Sequence, residues 1–211
     1  MKIKHIITEV PLPNHFDKSK FKSNVPFAQR IRHAKEHAKQ IGVGSSRVAF
    51  IIEFEGRKTV LKIAKNQKGL AQNGHEAQML DDAYASRLGI TIPMIDFDEE
   101  NNIPTWIHVE FADKMKPNDF KNFFGGISHN ELKGVLEYLI GRRGASESDE
   151  SRYEQLQEDN ENIDALVDLV GNFDIPIGDF ARLANWGVYK GGPVIIDLGL
   201  NNDVLKTYYR F

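Results

Sequence analysis

The sequence predicts an α+β fold, an antiparallel sheet with a helix first and a reduced, mostly helical part after it. Residues 47–54 and 59–64 are rich in β-branched and apolar side chains and flank Glu55-Gly56, which is the signal of a hairpin. Residues 92–97 and 105–111 add two further strand-like runs around a polar turn at Asn101-Asn102. Residues 118–124, 128–140 and 163–173 read instead as helices.

The elements follow in order. Residues 1–25, with Pro11 and Pro13 among Lys and Asn, read as an extended arm. Residues 26–40 read as a helix. Pro26 suits a first turn, where its missing N–H costs nothing, and Phe27, Ile31 and Ala34 share a face. Residues 72–88 place Ala77, Leu80, Tyr84 and Leu88 on one helical face, and Gly89 is the stop. Ser128 with Glu131 three residues on has capping-box spacing, which starts the helix at 128–140. Residues 144–162 are acidic and nearly free of aliphatic side chains. They cannot bury much, and read as a mobile loop or a solvated helix. The chain thus divides into an arm and helix (1–40), a strand-rich unit (41–112) and a helical unit (113–211) carrying the acidic insertion.

Bulk properties exclude several classes of function. The 211 residues are 41% hydrophobic and 27% charged, an ordinary globular balance. A net charge of -3 points to neither nucleic acid nor an anionic membrane surface. With no cysteine, there are no disulfides, thiolate zinc sites or cysteine nucleophiles. No apolar run is long enough to span a bilayer, and the N-terminus turns polar too soon for a signal peptide. The expectation is a soluble, cytoplasmic protein with no membrane partner.

Two segments carry chemistry. The first is Gly42-Val43-Gly44-Ser45-Ser46, ahead of the first strong strand. Glycine lets backbone approach a phosphate closely, and successive N–H groups can cradle it. Lys62 lies between Leu61 and Ile63 in the next strand, and a lysine in an apolar strand needs a partner or a wet cleft. Glu76, on the following helix, is the candidate partner. The second segment runs from Gly178-Asp179 through Asn185 to Val194-Ile195-Ile196-Asp197. A carboxylate at a strand end and an amide oxygen are the hard donors that Mg²⁺ prefers, so Asp197 and Asn185 are candidate metal ligands. Asp179 is placed to orient an attacking hydroxyl or take its proton.

In chain order these parts resemble the protein kinase-like fold, which includes the protein kinases and the aminoglycoside phosphotransferases. Gly42-Val43-Gly44 resembles the glycine loop, and Val60-Leu61-Lys62-Ile63 resembles the strand bearing the lysine. Glu76 resembles the glutamate of the next helix, and Glu110-Phe111-Ala112 falls at the hinge that would contact adenine. Ile177-Gly178-Asp179 is similar to the His-Gly-Asp of small-molecule kinases, and Asp197-Leu198-Gly199 to Asp-Phe-Gly. The likeness covers about residues 38–203. It implies a two-lobed fold that binds ATP and Mg²⁺ and transfers a phosphoryl group to an unspecified acceptor. Residues 42–46, including Ser45 and Ser46, would cover the phosphates. Lys62 and Glu76 would position them, Glu110 and Ala112 would flank the base, Asp197 and Asn185 would hold the metal, and Asp179 would serve the acceptor.

The chain also departs from the pattern. Arg47 stands where the third glycine would be, no histidine precedes Gly178, and Asn185 is one residue further from Asp179 than usual. Arg182 is the candidate replacement for the loop's basic residue. The chain ends at Phe211 with no activation segment, so the expected helical lobe is truncated and cannot present a protein substrate in the usual way. A pseudokinase that acts as a binding or structural module is the alternative function. The segment at 185–197 also resembles kinase-like proteins of tailed bacteriophages. That implies a host or virion protein as partner, and the host cytoplasm or the virion as location. Two smaller signals read more simply. Arg30, Arg32, Lys35 and Lys39 read as a solvated basic helix face rather than a nucleic-acid contact. His33 and His37 lie one helical turn apart, as metal ligands can, but no third ligand is close in sequence.

Overall fold

The computed structural model describes residues 12–209, so the first eleven residues of the expected arm lie outside the described residues. Among the described residues, one antiparallel sheet contains β1 (Lys39–Val43), β2 (Arg47–Phe54), β3 (Arg57–Ala64), β4 (Met94–Phe97) and β5 (Trp106–Glu110), in the order β1-β2-β3-β5-β4. The β2–β3 hairpin runs in unbroken register from Arg47↔Ala64 to Phe54↔Arg57. Its turn residues Glu55 and Gly56 both take positive φ, the turn whose twist matches the strands it joins.

Alternation along β2 and β3 gives the sheet two different faces. Val48, Phe50, Ile52, Leu61 and Ile63 pack with Leu12, Phe16, Phe21 and Ala34 in one buried cluster. The segment before α1 (Phe27–His37), and α1 itself, therefore cover that face. Ala49, Val60 and Lys62 point the other way, into a cleft. The expected helix at 26–40 is shorter than its pattern suggests. Ala38 is already extended and Lys39 pairs with Ile51, so sheet pairing takes residues that local spacing assigned to the helix.

The expected helix at 72–88 starts earlier and breaks. The Asn66 side chain accepts from the Gly69 N–H and opens α2 (Gln67–Asp81). Asp82 then leaves helical geometry and caps α3 (Ala83–Arg87) by accepting from the N–H groups of Tyr84 and Ala85. The cap competes with the helix for the same backbone donors and wins.

The second half is helical around a small sheet. α4 (Pro117–Phe123), α5 (His129–Leu139) and α7 (Glu161–Asn172) bury Phe120, Leu132, Leu136, Leu166 and Leu169 in a second cluster. The capping box at Ser128 and Glu131 is present. Strands β6 (Asp113–Lys114), β7 (Trp186–Tyr189) and β8 (Gly192–Ile195) form a three-stranded sheet. Trp186 anchors it, edge-on to Phe120 and Phe124, with its indole N–H donating to the Phe180 carbonyl at 2.9 Å. The acidic stretch forms α6 (Glu147–Asp159), which buries no residue and is thus a solvated helix rather than a loop. Backbone bonds from Ile92 N–H to the Ile195 carbonyl (3.1 Å) and from Ile195 N–H to the Ile90 carbonyl (2.8 Å) tie the two halves together beside the cleft. No helix among the described residues is long and apolar enough to cross a membrane.

Candidate functional site

The cleft has a volume of about 880 Å³ and lies between the inner face of the first sheet and the segment around β7 and β8. The turn at 42–46 forms its roof, with Gly42, Gly44, Ser45 and Ser46 all on the lining. That turn is held from behind. The Asn66 side chain donates to the Ser45 carbonyl at 3.1 Å, and the Ser46 hydroxyl bonds to Gln72. Gln72 in turn donates to the Tyr209 hydroxyl at 2.8 Å, just beyond α8 (Asn202–Tyr208). Gly69 is needed here, because a β-carbon at that position would run into the Ser46 carbonyl.

The walls are apolar, formed by Ala49, Val60, Ile92 and Val109, with Glu110 and Ala112 at the edge. The Glu110 carboxylate faces away and pairs with Arg57 at 3.0 Å. Phe111 and Ala112 continue the lining beyond it. Gly187 allows Ala112 to approach β7, since a β-carbon there would lie 2.6 Å from that of Ala112.

Lys62, Asp179, Asn185 and Asp197 all open onto the same cleft, although they come from two distant parts of the chain. Glu76 sits behind them. It is fully buried and accepts from both Lys62 Nζ and Arg47 Nη1. Lys62 Nζ also donates to the Ile196 carbonyl, which aims it at the strand end carrying Asp197. Burial alone would raise the Asp197 carboxyl. The neighbouring Arg47 and Lys62 charges outweigh that and hold it below the usual carboxylate range. Its side chain is still 51% exposed, because one edge faces the open cleft.

Asp179 ends a short 3₁₀ turn (Ile177–Asp179). Its backbone carbonyl accepts from the Asn185 side chain at 3.0 Å, which closes the loop between them. Burial raises the Asp179 carboxyl. Arg182, 3.6 Å away, offsets part of that, and the Asp197 charge adds to it.

Arg47, which the sequence shows only as a missing glycine, is the central residue of the site. Its side chain is 9% exposed, with Nη1 on Glu76 and Nη2 on Asp197, and a longer contact of 3.4 Å to Asn73. Burial disfavours its charge, but Glu76 and Asp197 more than compensate, and its pKa is raised. No local signal marks this role, because its partners lie 29 and 150 residues away in the chain. Gln72 and Tyr209 are equally silent in the sequence.

Asp197 and Asn185 are the residues that would hold Mg²⁺. The atoms are the right kind, a carboxylate and an amide oxygen. Asp197 Oδ1, however, already accepts from the Arg47 guanidinium. A divalent ion beside Asp197 would face that fixed positive charge, and the site as arranged does not fit one. The histidine pair is also explained. The expectation of no third ligand nearby is corrected, since Glu36 between the two histidines brings a carboxylate within 4.8 Å of both rings' ligand atoms. His33 Nε2, however, accepts the Asp17 backbone N–H at 3.0 Å, so this ring fastens the segment before α1 to the helix.

No protein-family model matches the sequence, and no curated protein matches it. Among solved structures, aminoglycoside phosphotransferase APH(4)-Ia is similar over 55% of this chain and 37% of its own, at 16% identity and a TM-score of 0.27. A thermostable mutant of that enzyme, in a ternary complex with AMP-PNP and hygromycin B, is similar over 50% of this chain and 32% of its own, at 18% identity and a TM-score of 0.26. The PknI kinase domain of Mycobacterium tuberculosis is similar over 78% of this chain and 58% of its own, at 12% identity and a TM-score of 0.35. The chain therefore spans about a third of the length of the phosphotransferase and less than two thirds of the kinase domain.

Proposed function

We propose that the cleft binds a nucleoside triphosphate and serves phosphoryl transfer to an acceptor hydroxyl held at Asp179. The observation that carries this reading is the convergence of Lys62, Asp179 and Asp197 on one cleft beneath a glycine turn. The base would lie between Ala49, Val60, Ile92 and Val109, against the backbone edge at 110–112. The N–H groups of the turn and the Lys62 ammonium would meet the phosphates. In the transfer step the acceptor oxygen forms a bond to the terminal phosphorus while the bridging P–O bond breaks. The electron pair leaves with the nucleoside diphosphate, and the acceptor proton passes to the Asp179 carboxylate. A carboxyl raised by burial is better matched to that task than an ordinary one. Most of the rate would come from positioning and charge neutralisation.

Calorimetric titration with ATP tests binding, and release or transfer of a labelled terminal phosphate tests turnover. Asp179→Asn is expected to keep ATP affinity within about twofold and to lose turnover by at least about a hundredfold. Absence of binding at millimolar ATP would overturn the reading. The Arg47–Asp197 ion pair favours a second reading, a nucleotide-binding module without turnover. For that module, wild-type protein would bind ATP yet leave the terminal phosphate intact in a single-turnover assay, and Asp179→Asn would leave its biological effect unchanged.

A further inference from the structure

We propose that Arg47 is a resident cation standing where a divalent metal would bridge Asp197 to the phosphates, so that the cleft binds a nucleoside triphosphate without metal. The proposal rests on the nucleotide reading above and specifies the ionic form of the ligand: the free triphosphate rather than its magnesium complex.

Position comes first. Arg47 opens β2 directly after the glycine turn, and it shares a strand face with Ala49, which lines the cleft and pairs with Lys62. The side chain is therefore directed beneath the roof of the cleft, to Glu76 and Asp197. Its seat is built for it. Nη1 lies on Glu76 and Nη2 on Asp197. A β-carbon on Gly199 would come within 2.6 Å of Nη2, so a glycine there is what lets the guanidinium reach Asp197. Charge comes second. Arg47 and Lys62 balance Glu76 and Asp197 one for one, and the cluster is neutral with no metal. In a metal-binding cluster Asp197 would be left with its charge free for the ion.

Donor capacity comes third. A guanidinium has five N–H donors, and the contacts to Glu76, Asp197 and Asn73 do not exhaust them. Arg47 lines the cleft roofed by the glycine turn, and a guanidinium matches phosphate oxygens well. Arg47 thus performs both parts of a bridging cation: it holds the carboxylate and faces the phosphates. Unlike a metal it is covalently tethered, and it is present before the nucleotide arrives.

Two measurements on the full chain test the proposal. The first is the ATP dissociation constant by calorimetry in EDTA and in millimolar MgCl2. Wild type is expected to differ by less than about twofold between the two, while Arg47→Met loses about tenfold or more in EDTA and recovers with Mg²⁺. The second is Mn²⁺ binding by electron paramagnetic resonance, with no nucleotide present. The expected result is no Mn²⁺ at the cleft of wild type, binding to Arg47→Met, and loss of that binding when Asp197→Asn is added. Should Arg47→Met fail to fold, Arg47→Lys replaces it; lysine keeps the charge but reaches only one of the two carboxylates, so Mn²⁺ should again gain access. A wild type whose ATP affinity rises tenfold or more with Mg²⁺ overturns the proposal and leaves the nucleotide reading standing. Absence of ATP binding by every variant in both media overturns both. Wild type taking up Mn²⁺ in a way that Asp197→Asn abolishes also overturns the proposal.

Discussion

Replacing Glu76 by glutamine is the sharpest test of how the site is held. Glu76 is fully buried and accepts from two cations whose side chains are themselves about nine-tenths buried. Glutamine keeps the shape but removes the charge, and it turns one of the two acceptors into a donor facing a cation. Removing one partner of a buried ion pair costs about 3–5 kcal/mol. One acceptor oxygen survives in the amide, so the lower end, about 3 kcal/mol, is expected. For a chain of this size that corresponds to a fall in Tm of about 6–12 °C. Urea unfolding followed by tryptophan fluorescence should show a lower midpoint with an unchanged slope. Adding Lys62→Met should recover part of the loss, because Arg47 and Asp197 then remain as a balanced pair. A loss below about 1 kcal/mol with an unchanged slope would refute the reasoning, since Glu76 would then not be the group neutralising the two cations.

Other positions give independent checks. Gly69→Ala should destabilise the chain by about 1–3 kcal/mol in urea unfolding, because its β-carbon meets the Ser46 carbonyl, which the Lys65 N–H already holds at 2.8 Å. The Asp197 carboxyl is held below its unfolded value, so its contribution is present above about pH 4 and is lost as the pH falls through the lower folded value. Asp197→Asn should therefore lower Tm at neutral pH and flatten its decline on the acid side. Ser128→Ala removes the hydroxyl that caps α5 and should cost about 1 kcal/mol in thermal unfolding, with nucleotide affinity unchanged.

Much of this protein can be read along the chain. The β2–β3 hairpin is legible because alternation and a Glu-Gly turn are local properties, and the start of α5 is legible because a capping box spans only four residues. The same locality explains the misreadings. The pattern at 26–40 continues as a helix past the point where Lys39 pairs with Ile51, because pairing with a strand twelve residues on leaves no mark on residue spacing. Asp82 looks like any polar residue on a helix surface, yet it ends α2 by capping α3.

The site divides in the same way. The sequence by itself determined the inventory: a glycine turn, a lysine inside an apolar strand, a glutamate on the next helix, and two aspartates at the ends of short apolar segments. Their residue types carry their chemistry, and their spacing places each on an element. Only the tertiary structure decided the pairing. Two cations and two carboxylates can pair in more than one way, and the choice depends on which side chains the folded backbone brings within reach. Here Glu76 holds both Lys62 and Arg47, and Arg47 reaches on to Asp197 past a glycine that leaves room for it. A position that reads in one dimension as an absent glycine becomes, in three, the cation that joins Glu76 to Asp197.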